Sequence, residues 1–445
     1  MQPSTSLQPL TSQSGRSLKG AAKVPGDKSI SHRALMLGAL ALGRTRIQGL
    51  LEGEDVLRTA AALRHMGVES GRDANGQWWV EGEGAASLRE PQDVLDLGNS
   101  GTSTRLLMGL VGSHNFTSFF TGDESLRKRP MGRVIEPLSQ MGVNFLARDG
   151  GKLPITVMGT RDTVPITYRS PVASAQVKSA ILLCGLNTQG VTTVIEPQAT
   201  RDHSEIMLRH FGADVMCEKG ANGEISISLR GYPELKAQEV IVPGDPSSAA
   251  FVAAAALLKE GSELLIQNVG INPLRAGFYE TVREMGADLT LENQRLQAGE
   301  KVADVKVKAS SLKGIRVPAS RAPSMIDEYP ILGVLAAFAS GKTVMEGLGE
   351  LRVKESDRLS MIASNLQACG AKVEIEGDNL IVHGTGKAPK GGAKIATAMD
   401  HRIAMSFLVM GSASAEPISI DDGSFINTSF PGFVDLMNGL GMRIA

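Results

Sequence analysis

Apolar positions along the chain recur in helical patterns that close on a glycine and give way to a short strand-like run. The phrase Leu63-Arg-His-Met-Gly67-Val returns as Leu138-Ser-Gln-Met-Gly142-Val, Leu208-Arg-His-Phe-Gly212-Ala, Val282-Arg-Glu-Met-Gly286-Ala, Leu366-Gln-Ala-Cys-Gly370-Ala and, more loosely, Leu436-Met-Asn-Gly-Leu-Gly441-Met. Each copy predicts a helix, a glycine at its C′ position and a following strand, such as Val143 to Leu146 or Ala287 to Leu291. The copies lie about 70 to 85 residues apart. That period exceeds a solenoid repeat, so six copies predict an α/β architecture built from supersecondary units of several strands and helices.

A second repetition divides the six copies into three and three. Val24-Pro-Gly-Asp27 returns as Val242-Pro-Gly-Asp245, each followed within two residues by Ser and then by an Ala-rich helical run, Ala34 to Leu42 and Ala249 to Leu258. Two similar three-repeat domains are therefore expected, residues 24–241 and residues 242–445, with hinges near Val24 and Val242. Gly-Ala after one helix is ordinary punctuation, whereas six copies under a duplicated header point to internal duplication. Residues 1–17 are rich in Ser, Thr, Gln and Pro, carry no acid and lack an amphipathic core, which predicts a disordered tail.

Composition narrows the class. With 445 residues, 42% hydrophobic content and a net charge of −1, the chain is too long for one core and should form two or more globular domains. The near-neutral balance argues against a sequence-independent nucleic-acid binder, so an anionic ligand would need a local cluster of Lys and Arg. The longest near-continuous apolar stretch, Ala249 to Leu258, is far shorter than the roughly 20 residues of a membrane span. No membrane association and a cytoplasmic location are expected. Cys184, Cys217 and Cys369 are widely spaced and read as reduced structural cysteines.

Candidate chemistry is densest at the first header, Val24-Pro-Gly-Asp27-Lys28-Ser29-Ile-Ser-His32-Arg33. A turn, hydroxyls and two cations before an apolar helix suit an anion cradle in which Ser29 caps the helix and Lys28 faces the anion. Four further loops share this character. Leu97-Gly98-Asn-Ser-Gly101-Thr102-Ser-Thr-Arg105 resembles a second helix-start anion site, and Arg127-Lys128-Arg129-Pro130 sets three cations before a Pro that can start a helix. Ser174-Ala175-Gln176-Val-Lys178-Ser179 opens a helix to Leu186, and Arg352-Val-Lys354-Glu355-Ser-Asp-Arg358-Leu places Lys354 and Arg358 one helical turn apart. Taken singly, each also reads as a helix cap or a solvated charge run. As a set they carry a surplus of cations beside small residues, suited to one or two ligands with several negative charges. Walker A, His-Glu-x-x-His, Cys-x-x-Cys and Gly-x-Ser-x-Gly patterns are missing, so acid–base work falls to Lys28, Asp327 and Glu355.

These motifs coincide in order with a known family. The first header, Gly98-Asn-Ser-Gly101-Thr102, Lys128-Arg129-Pro-Met131-Gly-Arg, Asp327-Glu-Tyr-Pro and Arg352-Val-Lys354-Glu355-Ser-Asp-Arg358-Leu together resemble the 5-enolpyruvylshikimate-3-phosphate synthases, over essentially the whole chain after the tail. Ser174-Ala-Gln176-Val-Lys178 and Arg201-Asp-His203-Ser-Glu205 are similar to signatures of the class II bacterial branch, known for tolerance of glyphosate. The resemblance implies an α/β fold of two domains, each of three βαβαββ units, with the active site in the interdomain cleft. It also implies that residues 18–23 join the second domain.

The implied reaction moves the enolpyruvyl group of phosphoenolpyruvate to the 5-hydroxyl of shikimate 3-phosphate, releasing phosphate on the route to chorismate and the aromatic amino acids. No cofactor or metal is implied. By the resemblance, Lys28, Ser29, Arg33, Ser174, Ala175, Gln176, Arg201, Asp327 and Lys354 hold shikimate 3-phosphate. Lys28, Gly101, Thr102, Arg129, Gln176, Arg358 and Arg402 surround phosphoenolpyruvate. Asp327 is expected as base, Glu355 as acid and Lys28 as a charge stabiliser. Glyphosate is the expected inhibitor, and a monomer the expected state.

Three positions depart from the pattern. Gly101 stands where a tolerant class II relative has Ala, Thr428 where many class I members have Lys, and Leu274 where the class II pattern has Thr. Two rivals are weighed: an enolpyruvyl transferase acting on UDP-N-acetylglucosamine, which uses a loop Cys that this chain lacks, and a non-catalytic phosphometabolite-binding protein, which would need no acid–base pair.

Overall fold

All six glycine phrases form one and the same helix ending. In the computed structural model, which describes residues 7–445, Gly67, Gly142, Gly212, Gly286, Gly370 and Gly441 all take positive φ, between 86° and 131°. The next residue's N–H then reaches back five positions: Val68 to Leu63, Val143 to Leu138, Ala213 to Leu208, Ala287 to Val282, Ala371 to Leu366 and Met442 to Met437. This is the Schellman geometry, which satisfies the carbonyls a helix leaves open at its C-terminus. The sixth copy anchors on Met437, one residue later than Leu436, and in that register it is no looser than the rest.

The helices in order are α1 (Lys28–Leu40), α2 (Glu54–His65), α3 (Gly101–Gly112), α4 (Gly132–Gln140), α5 (Ala175–Gly185), α6 (His203–His210), α7 (Pro246–Leu258), α8 (Gly277–Glu284), the single turn α9 (Ala322–Met325), α10 (Tyr329–Phe338), α11 (Arg358–Ala368), α12 (His401–Gly411) and α13 (Phe433–Leu440). The capped helices α2, α4, α6, α8, α11 and α13 are part-buried. By contrast α1, α3, α5, α7, α10 and α12 are apolar on nearly every face and almost wholly enclosed. A helix of that composition has no face to give to water, and each fully buried Leu, Ile, Val or Phe adds about 1.5–3 kcal/mol.

The chain forms two compact units. One comprises Gly26–Val242 with Leu296–Glu300, and the other the described residues up to Pro25, Pro243–Arg295 and Lys301–Ala445. The segment Leu296–Glu300 thus falls outside the simple division at 242 that the sequence suggests. Within the first unit α1, α3 and α5 pack together; within the second, α7, α10 and α12 do so. Each unit carries three four-stranded sheets of one pattern. In the first sheet Glu239–Ile241 runs parallel to Leu42–Gln48, which pairs antiparallel with Trp78–Glu83, and that strand with Glu69–Arg72.

The two leading strands are exchanged with respect to chain order. Lys19–Ala22 precedes α1 yet pairs in parallel with Glu263–Gly270, which follows α7, while Glu239–Ile241 precedes α7 yet pairs with the strand that follows α1. The N-terminal segment corrects an expectation. Residues 1–6 lie outside the described residues, but Leu10–Gln13 is a strand, paired antiparallel with Ile418–Ile420 and with Arg443–Ile444. It fills the third position of the last sheet, which the chain's own end does not supply. A disordered tail through Ser17 is therefore wrong for these residues.

Candidate active site

In the unit built on Gly26–Val242, the first turns of α1, α3 and α5 come together and carry cations. Asp27, not Ser29, caps α1, accepting from the Ile30 N–H at 2.8 Å, so the helix starts at Lys28 and Ser29 sits inside its first turn. Lys28 Nζ lies 3.0 Å from Asp55 Oδ2. Ser100 caps α3 and Ser174 caps α5. Gln176, in the first turn of α5, donates to Thr102 Oγ1 at 3.0 Å and accepts from Arg105 Nη1 at 2.8 Å. Arg129 is buried and donates to the Asn99 carbonyl and side chain at 3.3 and 2.8 Å. α4 begins only at Gly132, so Pro130 precedes the helix and does not open it.

Arg105 and Arg129 flank Gly101. A Cβ at that position would stand 2.9 Å from Arg105 Nη1 and 3.1 Å from Arg129 Nη1, so a methyl group must displace at least one guanidinium. Arg33 is buried and donates to Ser204 Oγ at 2.7 Å, Ser179 Oγ at 2.8 Å and the Ser29 carbonyl at 3.0 Å. Burial brings its pKa down to about 10, against the opposing pull of Glu205 and Asp27 and with the help of nearby Arg201. Arg33 thus fixes the backbone at Ser29 and ties α1 to α5 and α6.

A buried chain of hydroxyls runs beneath these turns. His32 Nδ1 lies 2.8 Å from Thr59 Oγ1, which lies 2.6 Å from Ser103 Oγ, itself 2.6 Å from the cap Ser100. His32 Nε2 is buried with no partner among the described residues. Burial, then Lys28 and Arg33, hold its pKa well below the ordinary 6.5. Above pH 6.5 the ring is neutral folded or unfolded; below it the unfolded chain takes a proton that the folded one refuses. Stability should therefore fall on acidification by up to about 1.4 kcal/mol per pH unit from this group. His114, also lowered by burial, adds in the same direction. Urea unfolding between pH 7 and pH 5 should show a shallower loss for His32→Asn than for the parent; equal slopes would contradict this account.

The other unit gathers carboxylates. Asp327 and Glu328 immediately precede α10, Asp400 caps α12 and Arg358 opens α11. Arg358 is fully buried, with Asp327 at 3.1 Å, Glu355 at 2.5 Å and Asp400 at 2.7 Å. Burial opposes its charge, but Asp400, Glu355 and Asp327 outweigh that and raise its pKa. Arg402 Nε stands 3.8 Å from Asp327 Oδ1, and its Nη1 donates to the Asp327 carbonyl at 3.3 Å. Lys354 does not share a helix with Arg358: Gly349–Val353 is a 3₁₀ turn, Lys354 is extended and Asp357 caps α11. Thr428 turns its hydroxyl to the Phe425 carbonyl at 2.6 Å.

The candidate residues therefore fall into two sets. Lys28, Ser29, Arg33, Gly101, Thr102, Arg129, Ser174, Ala175, Gln176 and Arg201 belong to the first unit, and Asp327, Lys354, Glu355, Arg358 and Arg402 to the second. The expected surplus of cations holds in the first and disappears in the second, where Asp327, Glu328, Glu355 and Asp400 gather around Arg358 and Arg402, with Arg275 and Lys354 in the same set. Arg105, Asp55, Asp400 and Arg275 take part without having been singled out. Arg105 was legible, one helical turn after Gly101; the others needed the tertiary structure. Among the described residues no helix is long and apolar enough to cross a membrane.

Residues 12–437 match the family described as EPSP synthase (3-phosphoshikimate 1-carboxyvinyltransferase). A 3-phosphoshikimate 1-carboxyvinyltransferase of Paramagnetospirillum magneticum is 63% identical over 438 residues, covering 98% of both chains. The solved EPSP synthase of Acinetobacter baumannii is 44% identical with a TM-score of 0.86, covering 98% of this chain and all of that one. The enolpyruvyl transferase NikO of Streptomyces tendae, at 20% identity, shares the fold with a TM-score of 0.78 over 99% of each chain.

Proposed function

The chain belongs to the EPSP synthase family of transferases, and from that premise we propose that it moves the 1-carboxyvinyl (enolpyruvyl) group of phosphoenolpyruvate to the 5-hydroxyl of shikimate 3-phosphate. The observation that carries the reading is the pairing of Asp327 and Glu355 on one buried guanidinium, at 3.1 and 2.5 Å from Arg358. The reaction needs a base and an acid beside cations that bind phosphate and carboxylate; the second set offers both carboxylates on Arg358, with Arg402 close by, and the first set offers further cations.

Asp327 takes the proton of the 5-hydroxyl as its oxygen bonds to C2 of phosphoenolpyruvate, while Glu355 gives a proton to the methylene carbon. The resulting tetrahedral intermediate loses a methyl proton and its phosphate, restoring the double bond as the vinyl ether product. Lys28 stabilises the charge that builds on the way. Ser29, Arg33, Ser174, Ala175, Gln176, Arg201 and Lys354, with Lys28 and Asp327, bind shikimate 3-phosphate. Gly101, Thr102, Arg129 and Arg402, with Lys28, Gln176 and Arg358, bind phosphoenolpyruvate. Each charge-assisted hydrogen bond contributes about 1.5–3 kcal/mol, so ligands this highly charged need several. The domains work as two three-sheet bodies hinged near Val24 and Val242, in a monomeric, cytoplasmic enzyme.

Glyphosate competes at the phosphoenolpyruvate set. Because a methyl at Gly101 would crowd Arg105 and Arg129, Gly101→Ala should raise the glyphosate inhibition constant by about ten- to a hundredfold. An unchanged constant would remove the idea. The reading as a whole is tested by mixing the protein with both substrates and following phosphate release, with UDP-N-acetylglucosamine as control acceptor. Release with shikimate 3-phosphate only is expected; release with the control acceptor only, or binding without release, overturns it.

A further inference from the structure

The second header, Val242-Pro-Gly-Asp245, is followed by Pro246 and Ser247 where the first has Lys28 and Ser29, and the reaction as described leaves it without a role. The structure puts it beside the base. Asp245 caps α7, accepting from the Ser247 and Ser248 N–H groups at 2.7 and 3.3 Å. Ser247 Oγ accepts from Arg275 Nη2 at 2.8 Å and donates to Glu328 Oε1. Arg275 Nη1 lies 3.6 Å from Glu328 Oε1 and 4.0 Å from Asp327 Oδ2, and Nη2 lies 3.6 Å from Asp245. Arg275, Ser247, Asp245 and Glu328 are all buried.

Placing a guanidinium and two carboxylates together out of water is costly, and apolar residues of similar volume often do as well for stability. A buried cluster of this kind calls for another reason. We propose that Arg275 and Ser247 are positioning residues for the base Asp327, and that the second header orients the carboxylate which takes the substrate proton. Ser247 pins Glu328 and with it the backbone on which Asp327 sits. Arg358 donates to Asp327 Oδ1 at 3.1 Å, whereas Arg275 stands 4.0 Å from Oδ2, too far for a hydrogen bond yet near enough to favour negative charge there. The two header copies have diverged: the first leads into the anion-binding cations, the second holds the base.

This inference rests on Asp327 being the base. Within this unit Asp327 faces Arg275, Arg358 and Arg402, among other partners, with Glu328 adjacent and Glu355 and Asp400 across Arg358; the Tyr279 hydroxyl, at the edge of the cluster, donates to the Pro246 carbonyl at 3.0 Å. The test is steady-state kinetics of the full chain with both substrates, for Arg275→Gln, Ser247→Ala, Ser247→Thr and Asp327→Asn. Ser247→Ala and Arg275→Gln should lower kcat by about tenfold or more while both KM values stay within about threefold. In Arg275→Gln the acid limb of the kcat–pH profile should move up by about one unit, because the carboxylate loses a cation. Ser247→Thr, which keeps the hydroxyl, should restore kcat. If Ser247→Ala lowers the melting temperature but leaves kcat unchanged, the residues are structural and the inference falls. Should Arg275→Gln fail to fold, the serine pair decides. Wild-type kcat in Asp327→Asn would instead overturn the base assignment itself.

Discussion

Asp327→Asn and Glu355→Gln should each leave both substrates bound with nearly unchanged KM and lower kcat by about 10²–10⁴. Both are isosteric, so packing around Arg358 survives while the proton-accepting or proton-giving function is lost. An Asn oxygen at 327 can still accept from Arg358, which donates to Oδ1 at 3.1 Å. The Asn amine would face Arg275 in place of a carboxylate oxygen, and no proton would leave the 5-hydroxyl. At 355 the amide keeps one oxygen toward Arg358 but has no acidic proton for the methylene carbon. Because both carboxylates sit on one guanidinium, the double variant should lose much less than the product of the two single losses. Steady-state and single-turnover kinetics separate these cases. A large rise in KM at constant kcat would mean that these carboxylates bind substrate and do no proton transfer.

The six-fold construction was legible because a Schellman ending requires a residue that tolerates positive φ, and glycine marks that place in the sequence itself. Four of the apolar helices, α1, α3, α5 and α7, were legible for a similar reason, since a segment with no polar face can only be enclosed, whereas α10 and α12 were not marked out. What escaped were features set by partners distant in sequence. Leu10–Gln13 has no pattern of its own that marks it as a strand; it becomes one by pairing with Ile418–Ile420, about 400 residues away. Asp27 and Ser29 are both good caps, and only backbone geometry shows that Asp27 holds the position. The run from Arg352 to Leu359 reads as one charged helix face, yet Asp357 starts a new helix there and turns Arg358 inward onto three carboxylates. Local charge counting therefore missed the carboxylates that offset the cations of the second set.

Lys178→Met should destabilise the protein by about 3–5 kcal/mol, because it leaves two carboxylates buried without their cation. Lys178 is enclosed, with Nζ 2.8 Å from Glu196 and 2.7 Å from Glu205. Burial alone would lower the lysine pKa, but the two glutamates outweigh it and raise it; for Glu205 burial wins and its pKa is raised despite Lys178. Folding already disfavours the charged form of Glu205, so removing the lysine must push that preference further. A carboxyl group whose folded pKa lies above its unfolded value stabilises the fold as pH falls toward that unfolded value. The deficit of Lys178→Met should accordingly shrink between pH 8 and pH 5, and adding Glu205→Gln should recover part of it at pH 8. Thermal unfolding of the three proteins at both pH values measures this; a deficit independent of pH would mean lost packing. Lys178 and Glu205 come from the two segments that resemble class II signatures, Ser174 to Lys178 and Arg201 to Glu205. They are two halves of one ion cluster, and neither is tolerable when buried alone. The cluster also joins α5 to α6, whose Ser179 and Ser204 grip Arg33. If Ser29 binds shikimate 3-phosphate as proposed, loosening the cluster should weaken that binding, although Lys178 itself is deeply enclosed.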